Sequence, residues 1–214
     1  MTTPAFPVIL AAPAGTGKTT IARRLLELRP DLGFSVTCTT RGPRPAEEHG
    51  VDYYFLAGDE FEERAARGEF AEHALVHGKR YGTLRSEIAR LMTAGRNPIM
   101  TIDVQGAVQF VQAFPEAVLI FLLPPSAVEL LSRLSGRGSE DRATLTRRVD
   151  SALTELTTID QFEYVVVNDA LEHAVAQVLS IIDAEALRRT RLTDLAERVT
   201  ALANELREIG RAHV

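Results

Sequence analysis

Four short apolar runs, with longer helical patterns between them, constrain the fold of this chain more than any other feature. None of the four alternates apolar with polar side chains, which is the pattern of strands covered on both faces of a parallel sheet. They lie at residues 6–11, 98–102, 117–123 and 164–167. The helical patterns lie at residues 19–29, 84–94, 105–113, 126–135, 143–160 and 171–188. The alternation predicts an α/β fold of three layers, in which helices and right-handed crossovers flank a parallel sheet.

Two of these helices have a capping box in their sequence. Ser126 is followed by Glu129, and Asp169 by Glu172. In a capping box the first side chain bonds a backbone N–H three residues later, and the acid bonds back. We therefore expect Ser126 and Asp169 to cap these helices.

Two stretches interrupt the alternation. The first, residues 35–83, has polar strand patterns at 34–40, 53–56 and 70–76 and a helical pattern at 61–67. It predicts a small inserted α+β lobe. The second, GRGSEDR at about 136–142, is a polar loop between two helices and predicts a mobile lid loop. The expected layout is a core of 1–34 and 84–190, the lobe, the lid, and a helical extension at 191–214.

The segment after the first strand matches the phosphate-binding pattern G-x-x-x-x-G-K-[ST] except at its first position. Such a P-loop directs backbone N–H groups and a helix N-terminus at phosphate oxygens. Lys18 is expected to reach the β- and γ-phosphates, and the Thr19 hydroxyl to ligate Mg²⁺. The candidate ATP-binding residues here are Ala12, Pro13, Ala14, Gly15, Thr16, Gly17, Lys18, Thr19 and Thr20.

Ala12 stands where the pattern has glycine. If that position requires a positive φ, alanine costs roughly 1–2 kcal/mol there; otherwise a small residue is accommodated without strain. The loop indicates ATP or GTP binding and leaves the phosphate acceptor open.

Several further motifs follow in order: FSVTCTTRGPRP (34–45), GVDYYF (50–55), GEFAEHALVHGKRYGT (68–83), IDVQG (102–106), LPPS (123–126), GRG (136–138) and VVNDALE (166–172). With these motifs, about residues 6–188 resemble the guanylate kinase family. The resemblance implies a guanylate-kinase-like domain at 1–190 whose inserted lobe binds the nucleoside monophosphate (NMP). It also implies the reaction ATP + GMP → ADP + GDP with Mg²⁺.

The resemblance assigns the GMP phosphate to Arg41, Arg44, Tyr53 and Tyr81, whose guanidinium forks and hydroxyls suit phosphate oxygens. It assigns the guanine base to Glu72, Thr37, Thr83 and Asp103. Of these, the Glu72 carboxylate can accept both the N1–H and the N2–H₂ of guanine.

The resemblance also implies that Arg137 and Arg148 close over the transferring phosphoryl group, with Arg133 as a weaker member of the set. The expected catalytic residues are Lys18, Arg44, Arg137, Arg148 and Asp103. Asn168 either lies beside the ATP adenine or belongs only to a strand-to-helix turn. Thr101 stands where the family usually has an acid, so the role of that acid in holding Mg²⁺ falls to Asp103 or to water.

The net charge of −5 argues against a broad basic nucleic-acid surface. No apolar run reaches membrane-spanning length, and the lone Cys38 cannot form an internal disulfide. We therefore expect a cytoplasmic enzyme whose partners are ATP and GMP or dGMP, without nucleic acid or membrane. Two alternatives stay open: a P-loop kinase for another small phosphorylated acceptor, and a catalytically silent guanylate-kinase-like binding module.

The tail beyond the resemblance has a heptad pattern. Its apolar positions are Leu192, Leu195, Val199, Leu202, Leu206 and Ile209. Charged residues occupy the other faces: Arg191, Asp194, Glu197, Arg198, Glu205, Arg207 and Glu208. An isolated helix of this length is marginal in water, so its apolar stripe needs a partner. Either it pairs with the same helix of another subunit, giving a homo-oligomer, or it packs back on its own domain.

Overall fold

The computed structural model describes residues 3–76, 78–135 and 142–212. Its main sheet has five parallel strands, in the spatial order second, seventh, first, eighth and ninth. They are β1 (Val8–Ala11), β2 (Leu32–Phe34), β7 (Asn97–Ile102), β8 (Val118–Leu123) and β9 (Tyr164–Val167). The four predicted runs are all strands of this sheet.

Helices cover both faces of the main sheet, as the non-alternating runs predict. Val8 and Leu10 of β1 pack with α1 (Lys18–Leu28) and α7 (Leu171–Ala186) in one apolar core. Ile9 and Ala11 point to the other face, towards α3 (Arg85–Thr93) and α4 (Val104–Ala113). The predicted α/β fold of three layers is confirmed.

A second sheet forms within residues 35–84. Its elements are β3 (Thr37–Thr39), β4 (Tyr53–Phe55), α2 (Gly58–Ala66), β5 (Phe70–Val76) and β6 (Lys79–Leu84). The strand order is β4-β3-β6-β5, with β3 parallel to β4 and the other pairs antiparallel. Cys38, Phe61, Phe70 and Leu84 form a small core of their own.

The single strand expected at 34–40 is wrong. The chain leaves the main sheet after Phe34, and Thr37 starts a strand of the second sheet. Between them the Ser35 N–H donates to the Ile99 carbonyl, which ends pairing with β7. The strand at 79–84 was not predicted at all.

The helices flanking the predicted lid are α5 (Ala127–Ser135) and α6 (Arg142–Leu156). The lid and Arg137 fall almost wholly on residues 136–141, which lie outside the described residues. The helix expected at 143–160 is shorter, because the chain turns into a 3₁₀ segment at Ile159–Gln161.

One of the two predicted caps is present in part. The Ser126 hydroxyl accepts a hydrogen bond from the Glu129 N–H at 3.1 Å, but the Glu129 carboxylate binds Arg133 instead of returning to Ser126. The cap at Asp169 is wrong, because α7 starts one residue later with Ala170 as its N-cap. The Asp169 carboxylate instead accepts from the Ala170 N–H and pairs with His173.

The expectation that β9 is covered on both faces is also wrong. β9 is an edge strand, and Val165 and Val167 are exposed. Beyond α7, a 3₁₀ turn at Arg189–Arg191 leads to α8 (Leu195–Ala212). Along the described ranges, no helix combines the length and apolar character that a membrane span needs.

Candidate active site

A cavity of about 780 Å³ lies at the carboxyl edge of the main sheet and extends to the second sheet. Fourteen of the predicted site residues line it: Ala14, Gly15, Gly17, Lys18, Thr19, Thr20, Thr37, Tyr53, Glu72, Tyr81, Asp103, Arg133, Arg148 and Asn168. Thr101 lines it too. Ala12, Pro13, Thr16, Arg41, Arg44 and Thr83 are not part of this lining. The cavity brings most of the predicted donor-side and acceptor-side residues together.

The backbone of the phosphate loop needs both of its glycines. Gly15 and Gly17 have φ of 82° and 96°, in the left-handed region that residues with a Cβ avoid. Gly17 directly precedes α1, so the loop ends at a helix N-terminus, where N–H groups attract anions. Among the described residues, Ala46 is the non-glycine with a positive φ. Ala12 therefore carries no left-handed strain, and alanine is accommodated there.

Lys18 is the first residue of α1, and its Nζ reaches back across the loop to donate to the Ala12 carbonyl at 2.5 Å. Burial holds the pKa of the Lys18 ammonium below its ordinary value, while the carboxylates of Glu155 and Asp103 oppose that shift. Glu155 comes from α6 and was missed by sequence reasoning, since nothing in its local pattern relates it to the loop. The two carboxylates favour the charged form of Lys18, the form that binds phosphate.

Asn168 braces the phosphate loop from the end of β9. Its side-chain amide is buried and donates to the Thr16 carbonyl at 2.6 Å. A Cβ on Gly17 would lie only 2.8 Å from the Asn168 Nδ2. Asn168 thus does more than form a strand-to-helix turn, because it fixes the loop while also lining the cavity.

A buried carboxylate marks the opposite side of the cavity. Glu72 on β5 is 4% exposed, and its Oε1 accepts a hydrogen bond from the Thr83 hydroxyl at 2.6 Å. Burial raises the pKa of Glu72 to about 7, and the nearby Asp103 carboxylate adds to the rise. A Cβ built on Gly106 would lie 2.6 Å from Oε2, so only glycine leaves this oxygen its space.

Asp103 caps α4, because its carboxylate accepts from the Gly106 N–H at 2.8 Å. This cap turns the chain at the end of β7, beside Thr101. Gly106 lies next to both acids, because its N–H donates to Asp103 and a Cβ on it would lie 2.6 Å from the Glu72 Oε2.

Arg41 is held as a planar fork near the two tyrosines. Both terminal nitrogens donate to Glu47 at 2.9 Å, and the guanidinium lies 5.2 Å from the Tyr53 ring centroid. The Glu47 bond and the Tyr81 hydroxyl both raise the pKa of Arg41. Glu47 also accepts from the Arg44 N–H at 2.8 Å, while the Arg44 side chain is exposed. Sequence reasoning missed Glu47, although an acid six residues after an arginine in a tight loop was an available signal.

Two of the three predicted lid arginines are described. Arg148 donates to the Leu134 carbonyl at 2.6 Å. Arg133 bonds Glu129 and, more weakly, the Thr16 carbonyl at 3.4 Å. Both line the cavity on the side of the phosphate loop, so α5 and α6 supply positive charge there.

A parallel sheet, a phosphate loop after its first strand and arginines over that loop define a P-loop nucleotide-binding protein. A family model described as guanylate kinase matches residues 5–185. A guanylate kinase of Anaeromyxobacter dehalogenans is 46% identical over 187 residues, covering 86% of this chain and 83% of the relative. One of Thermotoga maritima is 43% identical over 190 residues, covering 89% and 92%.

A solved structure supports the same family. The crystal structure of guanylate kinase from Anaplasma phagocytophilum superposes with a TM-score of 0.77 at 31% identity, over 92% of this chain and 94% of that one. This chain belongs to the guanylate kinase family.

Proposed function

We propose that this protein is a guanylate kinase, which catalyses ATP + GMP → ADP + GDP. One observation carries the proposal: the phosphate-loop Lys18 and the buried Glu72 line the same cavity. The first suits a nucleoside triphosphate, and the second suits a base with adjacent N–H donors. The relatives named guanylate kinase support the same activity.

Glu72 selects the base. Guanine presents N1–H and N2–H₂ side by side, and a carboxylate accepts both, whereas adenine has an acceptor at N1. The hydroxyl of Thr83 holds the carboxylate in place, and Thr37 lines the cavity nearby. Adenine would leave the buried acid without the two N–H donors of guanine, and sites of this kind reject the wrong partner by about 10⁴-fold.

The acceptor phosphate is bound by Arg41, Arg44, Tyr53 and Tyr81 in this proposal. Arg41 is already oriented by Glu47 and by the Tyr53 ring, so little side-chain freedom is lost when phosphate binds. An oxygen of the GMP phosphate then attacks the γ-phosphorus of ATP. The bond from γ-phosphorus to the β-bridging oxygen breaks, and its electron pair leaves with ADP.

No general base is needed, because the phosphate oxygen is itself the nucleophile. Catalysis consists of holding two anions in line and neutralising the charge that develops. Lys18, Arg148 and Arg133 supply that charge on the donor side, and we propose that Arg137 of the lid joins them. Asn168 keeps the loop in register with the donor phosphates through Thr16.

The proposed cofactor is Mg²⁺. Within the described ranges, no three His, Cys, Asp or Glu side chains are grouped to hold a metal by themselves. Mg²⁺ bound to nucleotides takes most of its ligands from phosphates and water, so Thr19 with Asp103 nearby is a fitting donor set. When bound, the ion neutralises charge on the β- and γ-phosphates. Because Thr101 stands where the family usually has an acid, Asp103 is the acid that the end of β7 offers.

We also propose a cytoplasmic enzyme whose substrates are ATP with GMP or dGMP. The single thiol is consistent with this, since Cys38 is buried and burial raises its pKa to about 12. An inert, unpaired thiol needs no oxidising compartment.

The test is a coupled assay of ADP formation with GMP, dGMP, AMP, CMP and UMP as acceptors. The proposal expects turnover with GMP or dGMP and rates lower by about 10⁴-fold with AMP. Turnover only with another acceptor would identify a different P-loop kinase. No turnover with any acceptor, while GMP still binds, would identify a catalytically silent module.

A further inference from the structure

We propose that α8 pairs antiparallel with α8 of a second copy of this chain, forming a symmetric two-helix contact. The apolar seam predicted from the sequence is exposed in the single chain from Val199 onwards, whereas Leu192 and Leu195 at its start are half-buried. Val199, Leu202 and Leu206 are 57%, 57% and 61% exposed, although each has the spacing of a buried position. The alternative in which this stripe packs back on its own domain therefore does not hold for these residues.

Contacts of Arg191 attach the turn before α8 to the rest of the domain. Arg191 donates to Glu185 at 2.8 Å and to the Glu116 carbonyl at 2.9 Å, and its guanidinium lies 4.2 Å from the Phe6 ring centroid. These contacts join the turn before α8 to the core. The seam is thus presented by an anchored helix rather than by a loose tail.

The charges beside the seam favour a second copy of α8 in the antiparallel orientation. In heptad terms Val199 and Leu206 are at a, Leu195 and Leu202 at d, and the flanking g positions carry Arg198 and Glu205. In an antiparallel pair each g position faces g of the other helix, whereas in a parallel pair it faces e. Antiparallel pairing therefore places Arg198 of each copy beside Glu205 of the other, which gives two identical ion pairs.

The e positions, on the other side of the seam, also fit antiparallel pairing. The e positions are Ala196, Ala203 and Gly210, all small. In an antiparallel pair small residues face small residues, so the two helices can approach closely. In a parallel pair Arg198 and Glu205 would face Ala203 and Gly210 and gain no ion pair.

The apolar layers agree with this register. When Val199 of one copy lies opposite Leu202 of the other, Leu195 lies opposite Leu206, and each layer is repeated by the two-fold axis. One surface patch is thus complementary to itself, as a symmetric dimer requires.

The first experiment measures the mass in solution of the full chain by light scattering, from micromolar to millimolar concentration. The expected result is a mass that rises to twice that of one chain. Leu202→Asp should keep the mass at one chain, whereas the matched control Ala201→Asp, on the outward face, should dimerise like the wild type. A wild-type chain that stays monomeric throughout would overturn the proposal.

The second experiment tests the orientation. Arg198→Glu alone should lose the dimer, because glutamates then face each other, and Arg198→Glu with Glu205→Arg should restore it. Arg207→Glu, away from the seam, is the charge control and should leave the dimer unchanged. Single reversals that leave the dimer intact would overturn antiparallel pairing. Circular dichroism and kinase turnover, expected to be unchanged, verify that each variant is folded.

Discussion

At Gly106, one added methyl group should weaken GMP binding while it leaves the stability of the fold nearly unchanged. In Gly106→Ala the new Cβ would lie 2.6 Å from Oε2 and 3.2 Å from Cδ of Glu72. Carbon–oxygen contacts prefer roughly 3.5 Å, so the carboxylate must move by about 1 Å. The end of a flexible side chain moves more readily than the α4 backbone, and the movement weakens the bond from Thr83.

The expected effects of Gly106→Ala on fold stability and on GMP affinity have opposite signs. Replacing glycine within a helix stabilises the fold by about 0.5–1 kcal/mol, which offsets part of the cost at Glu72. Displacing a carboxylate from its hydrogen bonds with guanine costs about 1.5–3 kcal/mol, or ~10- to 100-fold in affinity. We therefore expect a nearly unchanged unfolding midpoint with a GMP KM raised ~10- to 100-fold.

Steady-state kinetics of ADP formation and urea unfolding measure the two effects. The KM for ATP should stay at its wild-type value, because the phosphate loop is untouched. Gly210→Ala is the matched control, since its Cβ meets nothing within 4 Å, and it should leave both KM values unchanged. A GMP KM within twofold of wild type would refute the placement of guanine against Glu72.

Three further predictions concern the acceptor side. Because the pKa of Glu72 is about 7 and guanine needs the ionised carboxylate, GMP affinity measured by calorimetry should fall as pH drops below 7. The same measurement on Glu72→Gln should lack that component, and an equal pH dependence in both would contradict it. Ala46→Gly should raise the free energy of unfolding in urea by ~0.5–1 kcal/mol, because Ala46 has a φ of 71°, and a destabilised variant would contradict that reasoning. Arg41→Lys keeps the charge but loses the fork to Glu47, so its GMP KM should rise ~10-fold or more with the ATP KM unchanged, and an unchanged GMP KM would remove Arg41 from the site.

Four of the five strands of the main sheet could be predicted from the sequence, because they are continuous apolar runs with a local signal, whereas the three-residue strand β2 (Leu32–Phe34) was not predicted. The second sheet could not be predicted in full. Its strand at 79–84 is polar, and its pairing with β3 and β5 is non-local, so hydrophobic periodicity alone does not reveal it. The break at Ser35 is equally invisible, since a change of sheet leaves no mark in strand propensity.

The candidate site also has features that the sequence predicts and features that it does not. That Lys18 and Glu72 line the cavity could be predicted, because each belongs to a motif whose residues are close in sequence. Glu155 and the bond from Asn168 to Thr16 were not, since their partners are far apart in the chain and meet only in the fold. The cap at Asp169 failed because its spacing allowed two helix starts, and the carboxylate instead pairs with His173.

The most direct test of the account is the ratio of kcat/KM for GMP to that for AMP, measured for the wild type and for Glu72→Gln. The substitution keeps the size of the buried side chain but replaces one acceptor oxygen by an N–H donor. We predict that the wild type prefers GMP by about 10⁴ and that the ratio falls by ~10²-fold or more in the variant, through loss of GMP turnover. An unchanged ratio in Glu72→Gln, or a wild type that phosphorylates AMP as well as GMP, would contradict it.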